Sequence, residues 1–543
     1  MKKIITVIYT LSFVIGAVSA QSVYDGVKIA DKDLNGTARF VGMGGAMGAL
    51  GGDITTMGTN PAGIGIYRSN DVMTSFSYSA YGMESKYEGQ KSTIDKNRWS
   101  FDNIGVVFAT KIGNQTPLRY VNFGFNYKRS KSFYKNMSMS GMMGVVENPS
   151  NPGSPYYVSQ TNSMALQATD AERYVWDNSR QHLDFDNANR IFSDPDAGWL
   201  GALGYQGGLT ERDRIDNEPD LYVPFLPVEP SSVFNSREKG GIDQYDFNVS
   251  FNINDRVYLG LTIGAYDVDY DKYSGYDESY KRGEGYSLES YNNISGSGFD
   301  VKMGLILRPF EYSPFRIGFA VHTPTFYKLT YSTSAIVTND YRDAKTDELK
   351  RIIVDTYDYV GDMKRDYRLV TPWRYTVGTS LALGAEYEYE DYSTMKFKYS
   401  SNDGGGDMEF ENAEVKNCLK GEHTFRIGAE YKVIPEFAFR LGYNYSSAVF
   451  RDEAVKYIPS NSLITDTDFS NKRSQSNYTL GIGYRGKMFY ADLAYQLSTY
   501  KENFYPFYNE FELTQGEWTM VTPPATKVTN TRSQVLLTVG MRF

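Results

Sequence analysis

The stretch that decides the fold is Gln534-Val-Leu-Leu-Thr-Val-Gly-Met-Arg-Phe543. Val535, Leu537, Val539, Met541 and Phe543 fall on one face of an extended chain. Gln534, Thr538, Gly540 and Arg542 fall on the other, joined by Leu536. Successive side chains of a strand point to opposite faces, so this period of two reads as a strand with one apolar face and one mainly polar face. The pattern recurs upstream. In 245–253, Tyr245, Phe247, Val249, Phe251 and Ile253 alternate with Asp246, Asn248, Ser250 and Asn252. In 257–265, 299–307 and 437–445 the alternation is equally regular. One pass gives fourteen strands, near 71–81, 101–112, 118–132, 242–254, 256–271, 287–309, 314–331, 365–383, 385–400, 420–433, 436–449, 473–485, 487–501 and 529–543.

The connections separate a barrel from a soluble sandwich, whose inner faces also alternate. Six are short, at 113–117, 254–255, 311–313, 384, 434–435 and 486. The seven between them are long, near 82–100, 133–241, 272–286, 332–364, 401–419, 450–472 and 502–528. Short turns at one end and long loops at the other are the pattern of an outer-membrane barrel, and a sandwich gives no reason for it. Backbone left unpaired in hydrocarbon costs several kcal/mol, so a spanning sheet has to close on itself. The last strand is therefore expected to pair with the first, near 71–81.

Composition agrees. Mean hydropathy is −0.46, yet aromatics make up 15% of the chain, with 46 Tyr and 31 Phe. A barrel hides its apolar face in such an average, and aromatic belts at the two interfaces account for the tyrosines. A net charge of −9 argues against a nucleic-acid partner. The single Cys418 excludes an internal disulfide framework. Residues 1–20, MKKIITVIYTLSFVIGAVSA, combine two lysines, an apolar run and a small-residue cleavage site. They read as a secretory signal peptide, giving an expected mature start near Gln21 and placement in the outer membrane after folding by the barrel-assembly machinery.

Residues 21–70 do not alternate and are rich in glycine. No Lys-Ser/Thr follows the glycines and no strand precedes them, so they do not form a phosphate-binding loop. Small residues let a compact segment lie against a barrel wall, and the expected organisation is a plug at 21–70 and a barrel at 71–543 with a long outer insertion at 133–241. Ala38-Arg39 through Gly45-Ala46, and above all Asn60-Pro61-Ala62-Gly63, resemble the plug of the FadL/TodX family of outer-membrane transporters of hydrophobic compounds. Thr371-Pro-Trp-Arg374, Tyr387-Glu-Tyr-Glu-Asp-Tyr-Ser393 and Glu436-Phe-Ala-Phe-Arg-Leu-Gly-Tyr443 resemble its later strands. The resemblance implies a fourteen-stranded all-β barrel with an N-terminal plug in the lumen. It implies passive uptake of long-chain fatty acids or other hydrophobic small molecules, with sideways exit into outer-membrane lipid. By the same resemblance Asn60, Pro61, Ala62 and Gly63 lie at the lateral gate. The alternative is a barrel of the same shape that does not transport and serves as a secretion component or a surface scaffold for exported proteins.

Within the plug, Phe40 and Met43 are candidates to line the ligand route. The long insertion holds a helix-like stretch, Ser163–Trp176, and apolar clusters around Trp199 and Phe225. Trp176, Trp199 and Phe225 are candidates for capture of an apolar ligand, or for the core of a folded lid. Arg426 and Arg440 fall on lumen faces, where they either meet a carboxylate headgroup or pair with neighbours such as Glu430. His182, His322 and His423 are far apart in sequence and match no metal-binding spacing, and no cofactor is expected. No Gly-x-Ser-x-Gly turn or paired Asp/His motif points to catalysis.

Overall fold

The computed structural model describes residues 20–543 apart from 148–152, 154, 215, 226–229, 382 and 515–516. The expected signal peptide lies outside the described residues except for Ala20.

Fourteen antiparallel strands form one closed sheet. They are β1 (Asp71–Tyr87), β2 (Gln90–Lys111), β3 (Leu118–Ser132, continuing as Lys135–Met142), β4 (Ser231–Ile253) and β5 (Val257–Ser279). Next come β6 (Gly285–Leu307), β7 (Arg316–His322 and Phe326–Arg342), β8 (Met363–Val370 and Arg374–Ser380) and β9 (Leu383–Asp391 and Lys396–Tyr399). The last five are β10 (Gly421–Ile434), β11 (Phe437–Ser446), β12 (Phe469–Arg485), β13 (Phe489–Tyr505) and β14 (Thr526–Arg542). Each strand pairs with its sequence neighbours, and β14 pairs with β1 from Asp71↔Arg542 to Lys86↔Lys527. Two backbone hydrogen bonds between Asn70 and Phe543, 3.0 and 3.2 Å, finish the seam.

The deciding stretch behaves as its pattern requires. Val535, Leu537 and Val539 are each more than 40% exposed, whereas Gln534, Leu536 and Thr538 are sealed inside. The outward apolar face has nothing but lipid to cover it, which is the membrane-facing surface of a transmembrane barrel. Ringed contacts bound it above and below. Tyr78 packs on Trp99, Phe101 stacks on Tyr127, and Tyr127 meets Tyr245 across β1 to β4. Near the short turns, Phe437 packs on Tyr484.

The short turns lie where expected, with one shift. The turn between β8 and β9 precedes Leu383, so Gly384 lies inside β9. Several segments expected as long loops are strand instead. β1 and β2 run through 82–100 and turn at Glu88-Gly89, both with positive φ (43° and 83°), the backbone of a tight hairpin. β5 and β6 likewise run into 272–286. The region 332–364 holds the rest of β7 and a paired strand, Leu349–Asp355. Beyond the lipid belt the outward face of a strand meets water while the inward face stays buried, so the outward apolar period stops while the ladder continues.

The insertion between β3 and β4 packs into a buried apolar core that continues onto the inner faces of the barrel strands. Two short helices lie in the N-terminal segment, α1 (Val23–Ala30) and α2 (Ala38–Gly42); the insertion holds α3 (Gln160–Ser179) and α4 (Trp199–Gln206), which pack together with Phe185 and Phe192. The buried Trp199 donates its Nε1–H to the Phe192 carbonyl at 3.0 Å.

Candidate functional site

Between Ala20 and β1 the chain is almost entirely buried, and it touches lumen faces around the barrel. Ser22 caps a helix at Val23–Ala30, Thr37 caps a turn of helix at Ala38–Gly42, and Asn60 caps a 3₁₀ turn at Pro61–Ile66 with Pro61 at its first position. Ala38 N–H donates to Thr538 Oγ1 at 2.7 Å, on β14. Gly48 N–H donates to Glu386 at 2.8 Å, on β9. The Pro61 carbonyl accepts from Ser250 Oγ at 2.8 Å, on β4.

This seat requires bare backbone on the wall. Gly384, Gly428 and Gly442 stand side by side in register on β9, β10 and β11. A methyl at Gly442 would sit 2.2 Å from Gly44 N, and one at Gly428 2.3 Å from the Met43 carbonyl oxygen. On β6, a methyl at Gly304 would lie 2.1 Å from Asn60 Oδ1. The segment thus runs backbone against backbone, with no passage between it and this wall.

Most of the lumen arginines, with Lys302, are paired with lumen carboxylates. Arg426 bonds Glu386 at 2.6 Å and Glu388 at 2.7 Å. Arg440 bonds Glu430 at 2.7 Å and Asp492 at 2.6 Å, and Glu430 also holds Arg39 at 3.0 Å. Lys302 sits between Asp246 and Asp300, at 3.0 and 2.6 Å. Arg426 and Arg440 are therefore committed to protein carboxylates, the second of the two roles open to them.

On the outer side of the N-terminal segment lies a cavity of about 250 Å³. Its apolar lining includes Tyr24, Val27, Met83, Phe133 and Phe469, and its polar lining is mostly ion-paired. Burial alone would raise the Asp31 carboxyl, but Lys131 at 2.7 Å and Lys472 at 3.1 Å hold it well below the usual carboxylate range. Lys96 contributes a cation that rests over the Tyr134 ring at 5.0 Å. A second cavity, about 310 Å³, adjoins the first. The two share Asp33, Tyr81, Ser132 and Arg532. Asp33 meets Arg532 at 3.3 Å and Lys131 at 3.1 Å, so an ion-pair cluster marks their boundary.

The second cavity reaches the barrel wall where the wall is not zipped. The β2–β3 ladder stops at Asn103↔Lys128. Above it, β2 pairs only with β1, and β3 only with β4. The cavity is lined on one flank by Arg98 to Asp102 and on the other by Tyr127, Arg129 and Ser132. Trp99, 75% exposed, and Phe101 stand at its outer edge in the aromatic belt. A bulge contributes: Ser75 pairs with Asn103 and Phe76 with Phe101, leaving Asp102 extra. Asn35 of the N-terminal segment bridges the gap. Its Nδ2 donates to Asp102 Oδ1 at 3.0 Å and to the Arg129 carbonyl at 3.1 Å.

The residues expected to form the site are not brought together. Asn60, Pro61, Ala62 and Gly63 line neither cavity; Asn60 and Pro61 fasten the segment to β4 and β6, on different strands from the gap. Phe40 and Met43 pack with Met47, Leu34 and Leu50 in a small core of their own. Trp199 is buried in the core of the insertion, Trp176 lies tilted against His182, and Phe225 is half-exposed at the insertion surface. Asn35, Asp33 and Arg532, which do meet at the cavities, carry no motif. Only their position in the ladder and at the seam marks them.

No protein-family model and no curated protein matches the chain. Among solved structures it is similar to a Pseudomonas aeruginosa FadL homologue, at 12% identity and TM-score 0.47, covering 95% of this chain and 99% of that one. It is similar to the P. putida toluene transporter TodX, at 11% identity and TM-score 0.45, over 94% and 99% of the two chains. The Ralstonia pickettii toluene transporter TbuX follows at 13% identity and TM-score 0.42, over 94% and 99%.

Proposed function

We propose that this protein is an outer-membrane channel for passive uptake of hydrophobic small molecules. The ligand rests in the cavity outside the N-terminal segment, crosses the Asp33–Arg532 boundary, and leaves sideways between β2 and β3 into the bilayer. The observation that carries this reading is the pair of adjoining cavities ending where the β2–β3 ladder stops. A straight route down the barrel is blocked by the wall glycines pressed on the segment and by the paired lumen charges. A hydrophobic solute gains nothing from such a lumen, whereas an aromatic-lined gap offers an apolar surface continuous with lipid. A fatty acid suits the first cavity, with its chain against Tyr24, Val27 and Phe133 and its carboxylate toward Lys96. Asn60 to Gly63 act as an anchor that keeps the segment still while the gap opens.

The second reading, a scaffold that does not transport, draws on the insertion's packing over the barrel mouth and on the closed, charged lumen. Native mass spectrometry of the purified protein separates the two. A co-purifying apolar molecule supports the channel. A ligand-free barrel whose mass spectrum is unchanged on incubation with fatty acid or toluene supports the scaffold.

A further inference from the structure

The outer insertion carries a cluster that uptake does not use. Among the described residues, one group of potential metal ligands converges: Glu172, His182 and Asp220, whose ligand atoms lie within 4.8 Å of one another. The sequence spaces them ten and thirty-eight residues apart, and the fold closes that distance. Glu172 lies on the inner face of α3. Arg180 ends that helix in the left-handed conformation (φ 56°), its N–H returning to the Trp176 carbonyl at 2.8 Å. The chain then doubles back, so that Leu183 N–H reaches Glu172 Oε2 at 2.9 Å and His182 Nδ1 lies 2.5 Å from Glu172 Oε1. Asp220 leads into a short hairpin (Thr210–Asp213 with Leu221–Pro224) that is tied to α3 by Tyr222 N–H donating to Thr169 Oγ1 at 3.0 Å. Its Oδ2 stands 3.8 Å from His182 Nδ1.

We propose that Glu172, His182 and Asp220 bind a divalent transition-metal ion, of the zinc class, which staples the C-terminal end of α3 to the 210–224 hairpin. A histidine nitrogen with two carboxylate oxygens is a common zinc donor set, and the imidazole selects it over calcium or magnesium. Bonds of about 2.0–2.1 Å place tetrahedral ligands roughly 3.3 Å apart. The 2.5 Å and 3.8 Å separations straddle that value, so small side-chain shifts suffice. A second observation points into the cluster. The Tyr222 hydroxyl is buried, faces the Glu172 and Asp220 carboxylates, and makes no well-formed hydrogen bond, with the Arg212 guanidinium its nearest polar neighbour. It is placed to bond a metal-bound water at the fourth position. Arg212 is the competing cation, but its Nη2 is engaged by Asp186 at 2.5 Å, and its Nε lies 3.7 Å from Asp220, beyond a hydrogen bond. His182 is half-exposed, which gives an ion a way in.

The cluster contains its own reporter, because the Trp176 ring lies 4.7 Å from the His182 ring. Zinc chloride titrated into metal-stripped protein is expected to change Trp176 emission saturably, with one equivalent of zinc retained after dialysis. Trp176→Phe removes the signal and keeps the retained zinc. His182→Gln and Glu172→Gln, checked for an intact barrel by gel mobility, each weaken binding at least tenfold. Calcium leaves the emission unchanged. The proposal is overturned if wild-type protein retains no zinc, or if both glutamine variants retain as much as wild type.

Discussion

Asn35 holds the β2–β3 gap closed, and Asn35→Ala tests whether closure matters. Its side-chain amide makes two hydrogen bonds, one to the Asp102 carboxylate and one to the Arg129 carbonyl. A bond to a charged group contributes about 1.5–3 kcal/mol net, and one to a carbonyl about 1 kcal/mol. Water entering the cavity replaces part of that, leaving a loss of about 2 kcal/mol in the free energy that closes the gap. At 1.36 kcal/mol per factor of ten, the open population rises about thirtyfold. Global stability changes little, because the β1–β2 and β3–β4 ladders on either side are untouched. Hydrogen exchange in lipid nanodiscs reads the effect directly. Amides of 97–102 and 129–132 should exchange faster while those of β10 to β12 do not. Uptake of a fluorescent fatty acid by cells expressing the variant should rise. Unchanged exchange at 97–102 refutes the bridging role, and faster exchange with unchanged uptake refutes the gap as the exit.

Four further outcomes are expected. Arg440→Leu strands Asp492 as a buried carboxylate and should destabilise the barrel by about 3–5 kcal/mol in guanidinium titrations, with Arg440→Leu/Asp492→Leu recovering most of it; an unaltered midpoint for the single variant would make Arg440 a spare cation. Gly442→Ala forces a methyl to 2.2 Å from Gly44 N and should cost about 1–3 kcal/mol, seen as faster exchange at 42–48; wild-type exchange there would show that wall and segment are not in close contact. Lysines 272 and 456 hold the Asp466 carboxyl at about 2, below its ordinary 3.8, despite burial that alone would raise it. The stability this provides is full above 3.8 and is lost as pH falls through about 2, so proteolysis at 450–468 should increase only in that range. Lys96→Ala should weaken binding of a fatty acid but not of toluene in native mass spectrometry, and equal loss of both would remove Lys96 as the headgroup cation.

The strands were legible where lipid covers one face. At 245–253 and 535–543 every second residue is apolar because every second residue meets hydrocarbon. At 82–100 the outward positions Thr93, Asp95 and Asn97 meet water, so the periodicity vanished although pairing runs on to Tyr87↔Gln90. The Asn60-Pro61 turn was legible as a turn because Asn caps and Pro starts a helix. Its location was not, since that depends on Gly304 of a strand more than two hundred residues away. The gap between β2 and β3 is a matter of register and a single bulged residue, Asp102, and no residue type announces it. Arg426 and Arg440 were placed on the lumen side with Glu430 among their candidate partners, but Glu386, Glu388 and Asp492 on neighbouring strands became visible only once the barrel closed.

The most direct measurement is the initial rate of fatty-acid uptake by cells carrying Ser100→Trp beside cells carrying Ser100→Ala. Ser100 lines the second cavity beneath Trp99 and faces inward, so a tryptophan there fills the way to the gap without touching the lipid belt. With equal amounts of folded barrel in both, sideways exit between β2 and β3 predicts uptake at background for Ser100→Trp and at the wild-type rate for Ser100→Ala. Wild-type uptake by Ser100→Trp would contradict it and return the route to the barrel axis.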